Sequence, residues 1–181
     1  MAEERDPWRE PLQRGDGQAF RDFVREVGPS LRRYLETVVR SPAEAEELAQ
    51  EAFLRLVQSL GGFRGECSVR SFLFRIAHNL ALNHLASASA RREEAGEVPD
   101  RPSADPSPQV RLLQEERSLH LRRLLSALPP QQRAVVALRT WEDLSFKEIA
   151  AVLGLAEGTA KAHYFFALRN LRRRLEEGRG P

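Results

Sequence analysis

Apolar residues in the first forty positions recur at steps of three and four: Ala19, Phe20, Phe23, Val24, Val27, Leu31, Tyr34, Leu35 and Val38. That period puts them on one face of a helix. Pro29 falls inside the run, and an interior proline lacks the amide hydrogen a helix needs, so the pattern predicts two helices meeting there. Ser41-Pro42 then reads as a helix start, a capping hydroxyl followed by proline at the first helical position. This helix runs to about Leu60, where Gly61-Gly62 stops it. Another begins near Ser68 and continues to about Ala88. No stretch shows the alternation of a strand.

From Ser87 to Pro108 the periodicity vanishes and prolines stand at 99, 102, 106 and 108. Such a segment reads as a mobile linker, extended where proline is dense. Helical signal returns from Val110 to about Leu128. Pro129-Pro130 opens a helix over Gln131 to Trp141, and a turn at Glu142-Asp143-Leu144 follows. The fold class is therefore all-α: two small helical domains joined by a flexible Pro-rich linker, over residues 1–88, 89–109 and 110–181.

The last helical pair has a recognisable form. Ser145 with Glu148 makes a capping box. Ile149, Val152 and Leu153 give one apolar face, and small Ala150 lets a second helix approach. Gly154 suits the positive φ of a tight turn. Gly158-Thr159 opens the next helix, which carries Lys161, His163, Arg169 and Arg172 to Arg174. This is a helix-turn-helix pattern, whose second helix enters the major groove of DNA. An ordinary helical hairpin with a basic tail is the alternative.

Charge adds detail rather than direction. The chain has 181 residues and a formal net charge of only +2. Its cations are nearly all arginine, with lysine only at 147 and 161; arginine's planar fork suits phosphates and base edges, and a GC-rich genome would give the same bias. Two local patterns matter more. Glu44, Glu47 and Glu51 lie at three- and four-residue steps beside an apolar face of Ala45, Leu48, Ala49, Ala52 and Leu56. Such a stripe is either a solvated face or a docking surface for a basic partner. Further on, Phe63, Arg64, Ser68, Ser71, Phe72, Arg75 and Asn79 combine aromatic rings, cations and amides. That mixture suits unstacked bases and their phosphates. Phe72 and Phe74 alternatively pack against Ile76 and Leu80.

Taken in order, these segments resemble the bacterial RNA polymerase sigma factors, in particular the small extracytoplasmic-function (ECF) group. The resemblance covers roughly Phe20 to Leu175. Ala45 to Val57, AEELAQEAFLRLV, looks like the region 2 helix that docks on the polymerase. Phe63 to Leu85 looks like the segment that opens and reads the −10 element. Leu128 to Arg133, LPPQQR, resembles the start of region 4, and Ser145 to Lys161 its helix-turn-helix for the −35 element.

The resemblance implies an alternative sigma factor whose partners are core RNA polymerase, promoter DNA and an anti-sigma factor. It implies polymerase contacts from Glu44, Glu47, Leu48, Gln50, Glu51, Phe53 and Leu54. It implies −10 contacts from Phe63, Arg64, Ser68, Ser71, Phe72, Arg75 and Asn79. It implies −35 contacts from Ser145, Thr159, Lys161, His163, Tyr164, Arg169 and Arg172. Two departures stand out. Phe72 replaces the family's usual tryptophan, and the recognition helix reads AKAHYFFAL where relatives carry several arginines or serines.

Other chemistries find little support. His78, His84, His120 and His163 have no metal-ligand spacing, and Cys67 is the only cysteine. Cys67 reads as an inert small residue or an exposed redox-sensitive thiol. No phosphate-cradling loop or nucleophile elbow is present, so neither enzyme, metal nor cofactor is expected. The N-terminus lacks an apolar signal core, and no apolar run approaches the roughly 20 residues of a membrane span, which predicts a cytoplasmic chain without membrane insertion. Two other classes stay open: a stand-alone helix-turn-helix regulator with a sensing or dimerisation domain, and a protein-interaction adaptor that has lost DNA binding.

Overall fold

A computed structural model describes residues 6–94 and 124–177 of the chain. Its helices are α1 (Arg9–Gln13), α2 (Gly17–Val39), α3 (Pro42–Ser59), α4 (Val69–Glu94), α5 (Pro130–Trp141), α6 (Phe146–Leu153) and α7 (Glu157–Glu177). A single 3-10 turn, Leu60–Gly62, follows α3. Among the described residues there are no strands.

Local signals set the helix starts. Asp16 caps α2 by accepting from the amides of Gln18 and Ala19. Ser41 caps α3 by accepting from Glu44, with Pro42 in the first turn. Ser68 does the same for α4, accepting from the Ser71 amide at 3.1 Å. Ser145 and Glu148 form the reciprocal capping box of α6, and Gly154 ends that helix at a φ of 66°.

Two expectations are corrected. Pro29 does not divide the first helical run; α2 continues through it. The carbonyl left without an amide partner belongs to Arg25, which is exposed and can bond water. On the opposite face Phe23, Val27, Leu31, Tyr34 and Leu35 are all completely buried. Burial of such side chains is worth about 1.5–3 kcal/mol each, enough to offset one lost helical bond. The second correction concerns α4, which passes Ala88 and runs to Glu94. Residues 86–94 read ASASARREE, mostly good helix formers with no breaker before Gly96. The remainder of the expected linker and most of the helix expected over Val110–Leu128 lie outside the described residues.

Helices α2, α3 and α4 pack mutually to form the first helical domain, while α5, α6 and α7 form the second. Tyr34 lies at the centre of the first, edge-on to Phe74 at 5.5 Å. Its hydroxyl is 2.8 Å from His78 Nδ1. The other ring nitrogen of His78 is buried without a hydrogen bond. Burial accordingly lowers the His78 pKa to about 4.

The two domains press on each other, α2 against α5 and α4 against α6. One apolar cluster runs through both. A polar contact reinforces it. Glu142, whose side chain is completely buried, accepts from Ser30 Oγ at 3.0 Å and from the Arg70 guanidinium, whose Nε is 3.1 Å away. Beside it Ser71 Oγ donates to Glu148 at 3.1 Å, and the Arg33 guanidinium lies 5.3 Å above the Trp141 ring.

Candidate nucleic-acid and partner interfaces

The outer face of α3 is the first candidate surface. Ala45, Leu48, Ala49, Ala52, Phe53 and Leu56 turn into the core, so Leu48 and Phe53 support this face from beneath. Phe53 is edge-on to both Phe20 and Phe23. Glu47, Gln50 and Leu54 are exposed, and Glu51 pairs with Arg55 at 2.7 Å. Glu44 sits nearer α4, 3.3 Å from His84 Nε2. Leu54 is 60% exposed, and so, at 49%, is Val57, which the sequence reading did not single out. Its signal was its phase: Val57 lies one turn beyond Leu54, on the side of the helix away from Ala45, Ala52 and Leu56. The face therefore offers carboxylates and two bare aliphatic side chains together.

The second surface is built by the α3–α4 loop and the start of α4. Gly61-Gly62 ends the preceding turn and Gly65 reverses the loop at a φ of 79°. The loop brings the Phe63 ring onto Phe72, stacked with centroids 4.6 Å apart and 16° between planes. The Arg75 guanidinium lies 5.1 Å over Phe72. Ser59, Gly62, Phe63, Arg64, Glu66, Phe72 and Arg75 line a cleft of about 280 Å³. Asn79 is exposed one turn along the same face of α4 as Arg75. Phe63 is only 7% exposed and belongs to the core, so it supports the cleft from beneath; the half-buried Phe72 and Arg75 with exposed Arg64 are the groups that an unpaired base and its phosphate could meet.

Four neighbours take other parts. Phe74 is completely buried and belongs to the core. Ser68 and Ser71 bond each other, and Ser71, 1% exposed, lies beneath α6 in this arrangement of the domains. Cys67 is half-buried, and desolvation pushes its thiol up, away from the reactive thiolate.

The third surface is α7, set across α6 by the turn at Gly154-Leu155-Ala156. Ala160 and Ala167 are buried, and small residues there let α7 lie close to its neighbours. Thr159, Lys161, Arg169 and Arg172 are exposed. Lys161 pairs with Glu157 at 2.7 Å, and Arg172 Nε with Glu176 at 3.0 Å. His163 is half-buried. Tyr164 is half-buried too, its ring edge-on to Phe146 at 5.5 Å. Ser145 is exposed, but its hydroxyl is engaged with Glu148 in the capping box. Phe165 and Phe166 are 65% and 42% exposed, with Leu168 at 45%. Arg169 lies over Phe166 at 5.2 Å.

Among the described residues no group of three or more His, Cys, Asp or Glu side chains could hold a metal ion. No described helix is long and apolar enough to cross a membrane.

Comparison with known proteins gives these surfaces a family context. The model of Sigma-70 region 2 matches residues 23–91, and that of Sigma-70, region 4 matches residues 118–171. The RNA polymerase sigma-H factor of Pseudomonas aeruginosa is 33% identical over 168 residues, covering 87% of this chain and 86% of that protein. The ECF RNA polymerase sigma-E factor of Escherichia coli is 30% identical over 173 residues, covering 87% of each. Among solved structures, the sigma factor RpoE of Bartonella quintana, in complex with the anti-sigma factor NepR, aligns with a TM-score of 0.73 at 21% identity. That match covers 88% of this chain and 98% of RpoE. CnrH, in complex with the cytosolic domain of CnrY, aligns at 0.68 with 19% identity over 94% and 96%. These last two are likenesses of fold.

Proposed function

Since this chain belongs to the sigma-70 family, in its extracytoplasmic-function group, we propose how its surfaces divide a sigma factor's work. It is an alternative sigma factor, which binds core RNA polymerase and directs promoter recognition and transcription initiation. The exposed α3 residues Glu47, Gln50 and Leu54, with Val57 and the half-buried Glu51, dock on core polymerase. The cleft of Phe63, Arg64, Phe72 and Arg75, extended by Asn79, takes an unstacked base of the −10 element. Thr159, Lys161 and His163 at the start of α7 meet the edges of the −35 element, while Arg169 and Arg172 meet phosphate. The chemistry is recognition alone: no residue acts as catalyst, and the chain works in the cytoplasm beside the polymerase.

The observation that carries this reading is the ring stack of Phe63 on Phe72 under Arg75, at the mouth of a cleft. A stand-alone regulator has no use for a base-sized stacking site in its sensing domain, and the region 2 match covers that half of the chain. The domains follow the same division, with region 2 extended from 88 to the end of α4 at Glu94 and region 4 over 110–181. We assign an anti-sigma factor as a further partner, with the bare Phe165, Phe166 and Leu168 as part of its seat.

Run-off transcription with core polymerase on genomic fragments tests the reading. Transcripts should need both the chain and core enzyme, and Phe72→Ala with Arg75→Ala should abolish them while leaving core binding intact. Specific duplex binding without polymerase, and no transcript with it, would refute the assignment.

A further inference from the structure

The N-terminal segment Asp6–Gln13 makes contacts that the functions above do not use. Three of its polar side chains bond main-chain atoms of the loop that carries Phe63 and Arg64. Gln13 Nε2 donates to the carbonyls of Leu60 at 3.2 Å and Phe63 at 2.8 Å. Arg9 Nη2 donates to the Arg64 carbonyl at 2.7 Å. At the far end of the loop, the Val69 amide donates to Asp6 Oδ2 at 2.6 Å. The loop is thus tied at its start, its middle and its junction with α4.

The tie is rigid at its own end. Leu12 is 4% exposed, and Trp8 packs edge-on to Phe23 at 5.4 Å. The fit around Arg9 is close. Its guanidinium lies 5.9 Å from the Phe63 ring centre. It also fills the space beside Gly65, where an added Cβ would stand 2.0 Å from Arg9 Nη1. Gly65 holds a positive φ that other residues rarely adopt, and a Cβ there would push the Arg9 guanidinium aside. The segment Asp6–Gln13 lies ahead of the region 2 match, which begins at residue 23, while the loop it holds lies within it.

We propose that Asp6, Arg9 and Gln13 are positioning residues that set the base preference of the Phe63–Phe72–Arg75 cleft. The proposal rests on the reading of that cleft as the −10 site. Its physical basis is tolerance. A recognition site must hold its groups within about 0.5 Å, and an irregular loop whose carbonyls bond only water does not. Phosphate contacts by Arg64 and Arg75 tolerate such drift, whereas stacking and base-edge contacts do not. Loosening the tie therefore lowers discrimination between bases more than it lowers total affinity.

The test uses holoenzyme assembled from core polymerase and the full chain. The probe is a DNA duplex ending in a single strand with ten randomised positions, and base enrichment after capture is read by sequencing. Gln13→Glu keeps the shape of the side chain and removes both donors. Arg9→Met removes the Arg64 tie, and Gly65→Ala both displaces the Arg9 guanidinium and strains the loop at its positive φ. Each should flatten the strongest base enrichment about tenfold, the scale of one or two lost hydrogen bonds. Core-polymerase affinity should stay within about twofold, since α3 is untouched. Phe72→Ala and Arg75→Ala serve as the reference for the cleft itself. If they erase the enrichment while Gln13→Glu, Arg9→Met and Gly65→Ala keep it, the positioning role is overturned and the cleft reading survives. If they leave it intact, the cleft reading fails and the proposal falls with it. Loss of helical content or core affinity in both Gln13→Glu and Gly65→Ala would show a folding element instead, and would also overturn it.

Discussion

Glu142 is the residue whose replacement tests the arrangement of the two domains most directly. Its buried carboxylate takes three hydrogen bonds from the other domain, one from Ser30 and two from Arg70. Glu142→Ala leaves both partners without it and opens a small void. Removing one partner of a buried pair typically costs about 3–5 kcal/mol. Arg70 is 31% exposed and lies 3.9 Å from Glu26, so it recovers part of that from water and Glu26. We expect about 2–3 kcal/mol, or a shift of roughly 30- to 150-fold in the ratio of docked to undocked domains. Glu142→Gln should cost about 1 kcal/mol, because an amide oxygen can still accept while the charge assistance is lost. Small-angle scattering reads the outcome. A fully compact chain of this length has a radius of gyration near about 16 Å, and separated domains exceed it. Wild type should lie nearer that limit than Glu142→Ala. Arg70→Ala should reproduce the expansion, and the double variant should add little to either. Unchanged scattering and unchanged unfolding midpoints for Glu142→Ala would show that the apolar cluster alone holds the domains.

Three further outcomes are expected. The His78 pKa is lowered from 6.5 to about 4 by burial, so the folded state binds fewer protons than the unfolded one. Stability should be complete above about pH 6.5 and fall by about 3 kcal/mol as the pH drops to 4; guanidinium melts of wild type and His78→Phe at pH 7 and pH 5 check this, the variant showing a flatter profile. Glu47→Lys with Glu51→Lys should abolish holoenzyme assembly at a cost below about 1 kcal/mol in stability, since only the exposed Glu51–Arg55 pair is lost; unchanged core affinity would refute the docking assignment. Lys161→Ala should cost about 1–3 kcal/mol on the preferred upstream element and less on other sequences, while Arg172→Ala, about 16 Å further along α7, should weaken all sequences alike and lower the salt slope by about 1; equal loss on every sequence for Lys161→Ala would remove it from base reading.

What the amino-acid sequence made legible and what it hid divide along one physical line. Ser41, Ser145 with Glu148, and Gly154 announced helix ends correctly because a cap is decided by atoms within four residues of it. Pro29 misled because its local cost was outweighed by Phe23, Leu31 and Tyr34, whose burial depends on helices far away in sequence. The α3 stripe showed which residues share a face. It put Leu48 on the apolar face, but only the packing showed that Phe53 joins it while Leu54 stays bare. Aromatic and arginine residues made the α3–α4 segment a candidate site for bases, but did not show that Phe63 would stack on Phe72 while Phe74 served the core. That choice is made by an irregular loop, and no period governs an irregular loop. Its shape is fixed instead by side chains from elsewhere: Gln13 bonds it across 47 and 50 residues, and Arg9 across 55. Glu142 is the same case at larger scale, 112 residues from Ser30 and 72 from Arg70. Nothing near Glu142 in sequence distinguishes it from a solvated turn residue. The parts of a recognition site that can be read along the chain are its chemical groups; their position is set by contacts of long sequence separation, and there substitution should alter specificity before affinity.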